Sequence, residues 1–124
     1  MDAFQVFETL KLDGFHLETD GKFLEVAPAD KLSQYLIEII KTKKHDLIRI
    51  IKAEHRLNKV SQMLNNDLSI KRAVITDVES DAENVIMTIA IRDVAMFEVF
   101  ILKSKFDGLA ILQILEKLNY ETTH

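Results

Sequence analysis

Residues 14–28 read GFHLETDGKFLEVAP, two short runs that alternate apolar and polar residues around Asp20-Gly21. An Asp-Gly pair between such runs is the strongest short-range signal for a β-hairpin, because a type I′ turn needs a positive φ at both central residues. With Asp20 and Gly21 in those places, the predicted cross-strand pairs are Thr19–Lys22, Glu18–Phe23, Leu17–Leu24, His16–Glu25 and Phe15–Val26. A hairpin alone is marginal in water, so we expect this one to pack on helices.

The predicted register gives the hairpin two different faces. The apolar face holds Phe15, Leu17, Leu24 and Val26. The polar face and the turn supply the candidate partner-binding residues, which are His16, Glu18, Lys22, Phe23 and Glu25. An exposed aromatic such as Phe23 is either a lone surface side chain or the mark of a recognition surface, along which a peptide tail adds as an extra strand.

Composition places the chain among ordinary soluble proteins. It has 124 residues, 48% hydrophobic and 29% charged, enough for one domain or two very small ones. It contains no cysteine, which excludes disulfides, thiolate metal sites and cysteine nucleophiles. The first residues do not resemble a signal peptide, and no run approaches the roughly 20 apolar residues of a membrane-spanning helix. We therefore expect a soluble, cytoplasmic protein.

Charge is unevenly distributed, although the formal net charge is only -4. Residues 41–59 hold seven basic and two acidic side chains, whereas the segments on either side are acidic. On a helix, five residues of this block share one side, and we call them the basic ridge: His45, Arg49, Lys52, Arg56 and Lys59. The ridge is a solvated helix face, a contact for an acidic protein partner, or a nucleic-acid contact. The acidic balance and the lack of interleaved aromatic or glycine residues disfavour nucleic acid.

Three helices are predicted in the first half of the chain. The first covers residues 2–12, with Asp2 as N-cap and an apolar stripe of Ala3, Val6, Phe7 and Leu10. The second opens at Ala29 or Asp30, and its stripe is Leu32, Tyr35, Leu36, Ile39 and Ile40. After a break at residues 41–44, the third carries Leu47, Ile48, Ile50 and Ile51 and either ends near Leu57 or turns to contact something else.

The second half of the chain has β-strand character. Residues 72–79 and 84–92 are rich in Val, Ile and Thr, and residues 80–83 form a turn between them. Residues 94–102 are predicted as a third strand, either buried on both faces or at an edge used for association; a helix with Glu98 facing inward is the alternative. Asp107-Gly108 starts a last helix with Ile111, Ile114, Leu115 and Leu118 on one face. The prediction is an α+β protein, with an α-β-β-α-α module at 1–64 and a β-β-β-α unit at 70–124.

Catalytic and metal-binding patterns are not evident in the sequence. The histidines His16, His45, His55 and His124 lack the spacing of a shared metal site. The three glycines are explained by turns and a helix start, so no phosphate-binding loop is predicted. No nucleophile elbow is present, and carboxylates such as Glu18 and Glu25 are expected on a solvated surface. The sequence predicts no catalytic residue, no metal and no cofactor, and hence not an enzyme.

The first half of the chain resembles the TubC N-terminal docking domain family. The matching residues run from Gly14-Phe15-His16-Leu17 through Gly21-Lys22-Phe23-Leu24-Glu25-Val26-Ala27-Pro28, then Leu32, Leu36 and Ile40, to Lys44-His45-Asp46-Leu47-Ile48. The resemblance covers about residues 3–56. It implies a small α-β-β-α-α homodimer of the kind found at the start of natural-product megasynthase subunits, where the exposed hairpin captures the C-terminal tail of the upstream subunit.

The resulting expectation is a bacterial docking or adaptor protein that works through protein–protein interaction. Its hairpin surface would capture a partner tail, with His45, Arg49, Lys52 and Arg56 of the basic ridge as a second contact. The alternative is a phage or mobile-element accessory protein or inhibitor that binds a nucleoprotein complex or nucleic acid through its charged surfaces.

Overall fold

The chain has an α+β fold in the computed structural model, which describes residues 1–106 and Gln113. The helices and strands in chain order are α1 (Ala3–Leu12), β1 (His16–Thr19), β2 (Leu24–Ala27), α2 (Gln34–Thr42), α3 (Lys44–Asn66), β3 (Arg72–Asp77), β4 (Asn84–Ile91) and β5 (Ala95–Leu102). The predicted α-β-β-α-α order followed by three strands is confirmed, whereas the predicted last helix lies outside the described residues. By its internal contacts the chain divides into two compact units, Met1–Arg56 and Leu57–His124.

Helix α1 begins at a capping box. The Asp2 carboxylate accepts the backbone N–H of Gln5 at 2.8 Å, and the side-chain oxygen of Gln5 accepts the backbone N–H of Asp2 at 3.0 Å. This pairing satisfies N–H groups that the start of a helix would leave without partners. The predicted helix, cap and apolar stripe are therefore confirmed. The stripe enters the core of the first unit, whose buried residues are Ala3, Val6, Phe7, Leu10, Leu17, Leu47 and Ile51.

The hairpin pairs in a register shifted by two residues from the predicted one. Leu17 lies opposite Val26, and Thr19 lies opposite Leu24, so the loop holds residues 20–23 instead of two residues. A shift by two keeps each strand residue on its face. Leu17, Leu24 and Val26 thus share the apolar face as predicted, but Phe23 lies in the loop and not on a strand.

The loop differs from a type I′ turn because Asp20 uses its side chain to close it. The φ angle is positive at Gly21 (103°), while Asp20 is not among the positive-φ residues. The Asp20 carboxylate accepts the backbone N–H groups of Lys22 and Phe23, each at 2.9 Å. Such an Asx turn competes with the backbone turn that the Asp-Gly pair favours in isolation.

Helix α2 begins later than predicted. Ala29–Lys31 form a short 3-10 turn, and α2 starts at Gln34 behind Ser33, whose hydroxyl accepts the Leu36 N–H at 3.1 Å. Tyr35 is 71% exposed, so its place in the apolar stripe was wrong. At 100° per residue it lies at the flank of the face that the other stripe residues of α2 share. The remaining stripe residues pack on the first core: Leu32, Leu36, Ile39 and Ile40.

Helix α3 continues past Leu57 to Asn66. The predicted break before it is confirmed at Lys43, the C-cap of α2. The alternative that the helix ends near Leu57 is therefore wrong, and the helix continues to other contacts. The apolar residues beyond that point belong to the second unit, whose core contains Val60, Leu64, Ala73 and Ala90.

Strand β4 is the middle of an antiparallel sheet with the order β3-β4-β5. Residues 85–91 of β4 are all buried, as expected for a central strand covered on both faces. We predicted that double burial as one alternative for β5, and it was wrong: β5 is the edge strand, with several exposed residues. The helical alternative for residues 94–102 is wrong as well.

Arg92 fixes the connection between α3 and the sheet. Its guanidinium donates to the backbone carbonyls of Leu64 at 2.7 Å, Asp67 at 3.0 Å and Ile70 at 3.0 Å. The Leu64 carbonyl belongs to the last turn of α3, where backbone carbonyls have no N–H donor within the helix. Among the described helices, none combines the length and apolar character needed to cross a membrane.

Candidate functional site

Phe23 stands at the end of the hairpin loop with 69% of its surface exposed. Its backbone is held on both sides: the Thr19 hydroxyl donates to its carbonyl at 2.6 Å, and its N–H donates to Asp20 at 2.9 Å. The same Thr19 hydroxyl accepts the Gly21 N–H at 3.0 Å. Local hydrogen bonds therefore fix the backbone of Phe23, while its ring lies in solvent.

The Asp20 carboxylate is the acceptor on which the loop closes. The backbone N–H groups of Phe23 and Lys22 lower the pKa of this carboxyl below its ordinary value, because they stabilise the charged form. At neutral pH the carboxylate is ionised and can accept both N–H groups. The Lys22 side chain is exposed at the tip of the same loop.

The polar face of the strands is acidic and is flanked by two imidazoles. Glu18 lies opposite Glu25, so the predicted pairing of His16 with Glu25 was wrong. Glu18 is 2.9 Å from His16 Nε2 through one carboxylate oxygen and 3.9 Å from His55 Nε2 through the other. Since like charges directly opposite each other are unfavourable, the two imidazoles lie where positive charge would offset that repulsion.

Helix α3 places two lysines beside the loop. Lys44 Nζ lies 5.7 Å from the centre of the Phe23 ring, within the range of a cation–π interaction. Lys52 approaches the turn so closely that a Cβ at Gly21 would lie 3.1 Å from Lys52 Nζ. The first unit thus brings the hairpin loop and one end of α3 together.

The basic ridge is not one continuous solvated face. His45, Arg49 and Lys59 are exposed, and Arg49 lies 3.6 Å from Asp46. Lys52 is half-buried beside the hairpin. Arg56 is only 8% exposed, so the alternative of a solvated helix face is wrong for this residue. Helical periodicity places these residues on one side, but it does not show which of them another element covers.

A shallow depression of about 280 Å³ lies between the loop and the strands. Its lining residues are Glu18, Thr19, Asp20, Phe23 and Glu25. It offers one aromatic ring and several carboxylate oxygens, with ammonium groups nearby. Within residues 1–106 and Gln113, no three histidine or carboxylate side chains are placed to hold a metal ion.

Three contributors to this surface were not predicted from the sequence. Lys44 and His55 share one side of α3, which their spacing predicts, but the contact with the hairpin depends on packing that no local pattern encodes. Thr19 was assigned to the turn pair and not to loop closure.

No protein-family model, no curated protein and no solved structure matches this chain.

Proposed function

We propose that this protein is a non-catalytic docking protein that captures an extended tail of a partner protein on its β-hairpin, and that it works as a homodimer. The observation that carries the proposal is Phe23: its backbone is held by hydrogen bonds at both ends of the loop, and its ring is 69% exposed beside the depression. The resemblance to the TubC N-terminal docking domain supports the same function.

Backbone hydrogen bonds would supply the affinity. The two-stranded sheet leaves β1 and β2 with one edge each that pairs with no strand among the described residues. An extended tail can add to such an edge, where its main chain completes the ladder and its alternate side chains meet the hairpin surface.

Side chains of the hairpin surface would supply the specificity. An apolar tail residue would pack on the Phe23 ring, and acidic tail residues would meet the ammonium groups of Lys22 and Lys44. Basic tail residues would meet Glu18 and Glu25. Because the loop is already closed, the ordering cost of binding falls mainly on the tail.

The alternative function, binding of a nucleoprotein complex or nucleic acid, has less support. It needs a row of accessible cations, and the burial of Arg56 interrupts the basic ridge. Salt-dependent retention on DNA separates the two functions, since the nucleic-acid function requires it and tail capture does not.

The proposal is tested by pull-down from the native cell with three baits: the wild-type chain, Phe23→Ala and Tyr35→Ala. Tyr35 is a matched control because it is 71% exposed and lies outside the hairpin surface. We expect a specific protein to be captured by the wild type and by Tyr35→Ala and lost with Phe23→Ala.

The captured protein then provides a synthetic peptide of its C-terminal residues for calorimetry. We expect Phe23→Ala to weaken binding of this peptide about 10- to 100-fold, as for a buried aromatic anchor, and Glu25→Lys to change its affinity as well. Equal affinity for all variants would exclude the hairpin as the binding surface.

A further inference from the structure

Strand β5 presents an apolar edge to solvent. It is the outer strand of its sheet, and no described strand pairs with its free side. Its exposed hydrophobic side chains are Met96 (48%), Val99 (36%), Phe100 (57%) and Leu102 (44%). The opposite edge strand, β3, has only Thr76 in the exposed class. β5 also lacks the proline and the rows of lysine that usually protect a free edge.

The backbone of β5 shows which groups point outward. Lys103 donates its N–H to the Glu83 carbonyl at 2.8 Å, and in an antiparallel pair such bonds recur at every second residue. Residues 97, 99 and 101 therefore bond to β4. The N–H and carbonyl groups of residues 96, 98, 100 and 102 point away from the sheet.

We propose that a second copy of this chain pairs antiparallel with β5 around a twofold axis at Val99. The two sheets would then join into one of six strands. This inference rests on the homodimer of the proposed function and assigns its interface to β5, whose residues take no part in the hairpin surface.

The alternation of outward groups selects the register. The residues whose backbone N–H and carbonyl groups point outward have even numbers, and each must lie opposite another such residue of the second copy. The numbers of two paired residues therefore add up to an even number, so the twofold axis passes through a residue and not between two residues. With the axis at Val99, all residues from 96 to 102 find partners, and Glu98 lies opposite Phe100 of the other copy. An axis at Glu98 would instead place two carboxylates directly opposite each other, which is unfavourable.

Charge complementarity supports the same register. Asp93 precedes β5 and Lys105 follows it, and both side chains are exposed. An antiparallel arrangement brings opposite ends together, so the axis at Val99 places Asp93 of each copy level with Lys105 of the other. The contact is also closed: each copy uses its β5 edge once, and the dimer has no β5 edge left to recruit a third copy.

A single-cysteine variant tests the register, because the natural chain contains no cysteine. Val99→Cys places two thiols across the axis in a non-hydrogen-bonded pair, where strands approach most closely. The matched control is Thr76→Cys, an exposed residue on β3. On mild oxidation we expect at least about tenfold more covalent dimer from Val99→Cys than from Thr76→Cys. Equal cross-linking would overturn the proposed register.

Charge insertion tests the surface itself by analytical ultracentrifugation. We expect Val99→Lys to raise the dimer dissociation constant at least about tenfold, which corresponds to about 1.4 kcal/mol. Lys105→Glu is expected to raise it less. Val78→Lys, at a valine that is 52% exposed outside β5, should leave it unchanged.

Two results would overturn the assignment, and they are distinguishable. A wild-type chain that is monomeric at every concentration would remove both the β5 interface and the homodimer. A dimer that Val99→Lys does not weaken would remove the β5 interface alone. In either case the proposed tail capture is tested separately, by the effect of Phe23→Ala on partner binding.

Discussion

The two sheets of this protein distribute their apolar side chains in opposite ways. In the hairpin of β1 and β2, Leu17 is the one strand residue that is fully buried, and the others are half-buried or exposed. In the three-stranded sheet, the central strand β4 is buried from residue 85 to residue 91. The three-stranded sheet contributes much of its own core, whereas the hairpin packs on a core that consists mainly of helix residues.

This difference explains where each sheet is free to bind. A sheet that depends on helices can keep polar and aromatic residues on its outer face, because few of its side chains are needed for packing. A sheet that contributes its own core has a buried centre, and its free groups lie along its edges. The hairpin thus offers a face and the three-stranded sheet offers an edge.

The largest expected effect is the loss of packing in β4. Ile89 is 1% exposed, and Ile89→Ala is expected to lower the free energy of unfolding by about 2–5 kcal/mol through lost contacts and the cavity left behind. Leu24→Ala in the hairpin should cost clearly less, since Leu24 is half-buried. Urea unfolding followed by circular dichroism measures both. Equal losses would mean that the hairpin depends on its own packing as much as the sheet does.

A smaller effect is expected from the hairpin loop. Gly21 has a φ of 103°, and an alanine there is expected to cost about 1 kcal/mol because its Cβ disfavours that conformation. Gly14→Ala is the matched control: its φ is 89°, but a Cβ there meets nothing within 4 Å, whereas one at Gly21 would press on Lys52. We expect Gly21→Ala to lower the midpoint of thermal unfolding more than Gly14→Ala. Equal shifts would show that Lys52 moves aside without cost.

The smallest expected effect is an acid dependence shared by both units. The pKa of Asp20 is lowered by the N–H groups of Phe23 and Lys22, and the pKa of Asp67 is lowered by the hydroxyl and N–H of Ser69. Each contributes stability that is present above its ordinary pKa and lost as the pH falls through its lower, folded value.

Asparagine substitutions check this dependence. Asp20→Asn and Asp67→Asn keep an acceptor oxygen but cannot titrate, so each is expected to make stability fall less steeply between about pH 5 and pH 2 than in the wild type. Thermal unfolding over that range measures the slope. An unchanged slope for both variants would show that other carboxylates govern the acid transition.

Local signals in the sequence predicted much of the fold. Asp2 with the stripe of α1 predicted a helix and its cap, and the alternation of residues 14–28 predicted a hairpin with the correct faces. These predictions succeeded because hydrophobic periodicity and capping depend on neighbours in sequence. The candidate surface was predicted in part for the same reason. The observed strand register differs from the predicted one by two residues, and such a shift leaves Glu18 and Glu25 on the same face.

The wrong predictions concern local structures that compete with each other and contacts between residues that are distant in sequence. Asp20 had two ways to make a turn, and the side-chain hydrogen bonds, which the pair Asp-Gly does not reveal, selected the longer loop. The start of α2 was misplaced because Ser33, and not Asp30, caps it. Tyr35 was misplaced because it lies at the flank of the stripe, where helical periodicity does not decide burial. The burial of Arg56 and the central place of β4 depend on which elements cover them, and periodicity carries no information on the order of strands in a sheet.

The complete burial of β4 has a consequence for the chain before it folds. Its segment VIMTIAI carries no charge and no proline, and it is rich in residues with high β-propensity. Such a segment promotes aggregation when it is exposed, and charged residues at its ends act as gatekeepers. Glu83 lies just before β4, and Arg92 and Asp93 follow it. Yield on refolding is therefore expected to fall as protein concentration rises, and neutralising Glu83 or Asp93 should lower it further even where the folded protein is unaffected.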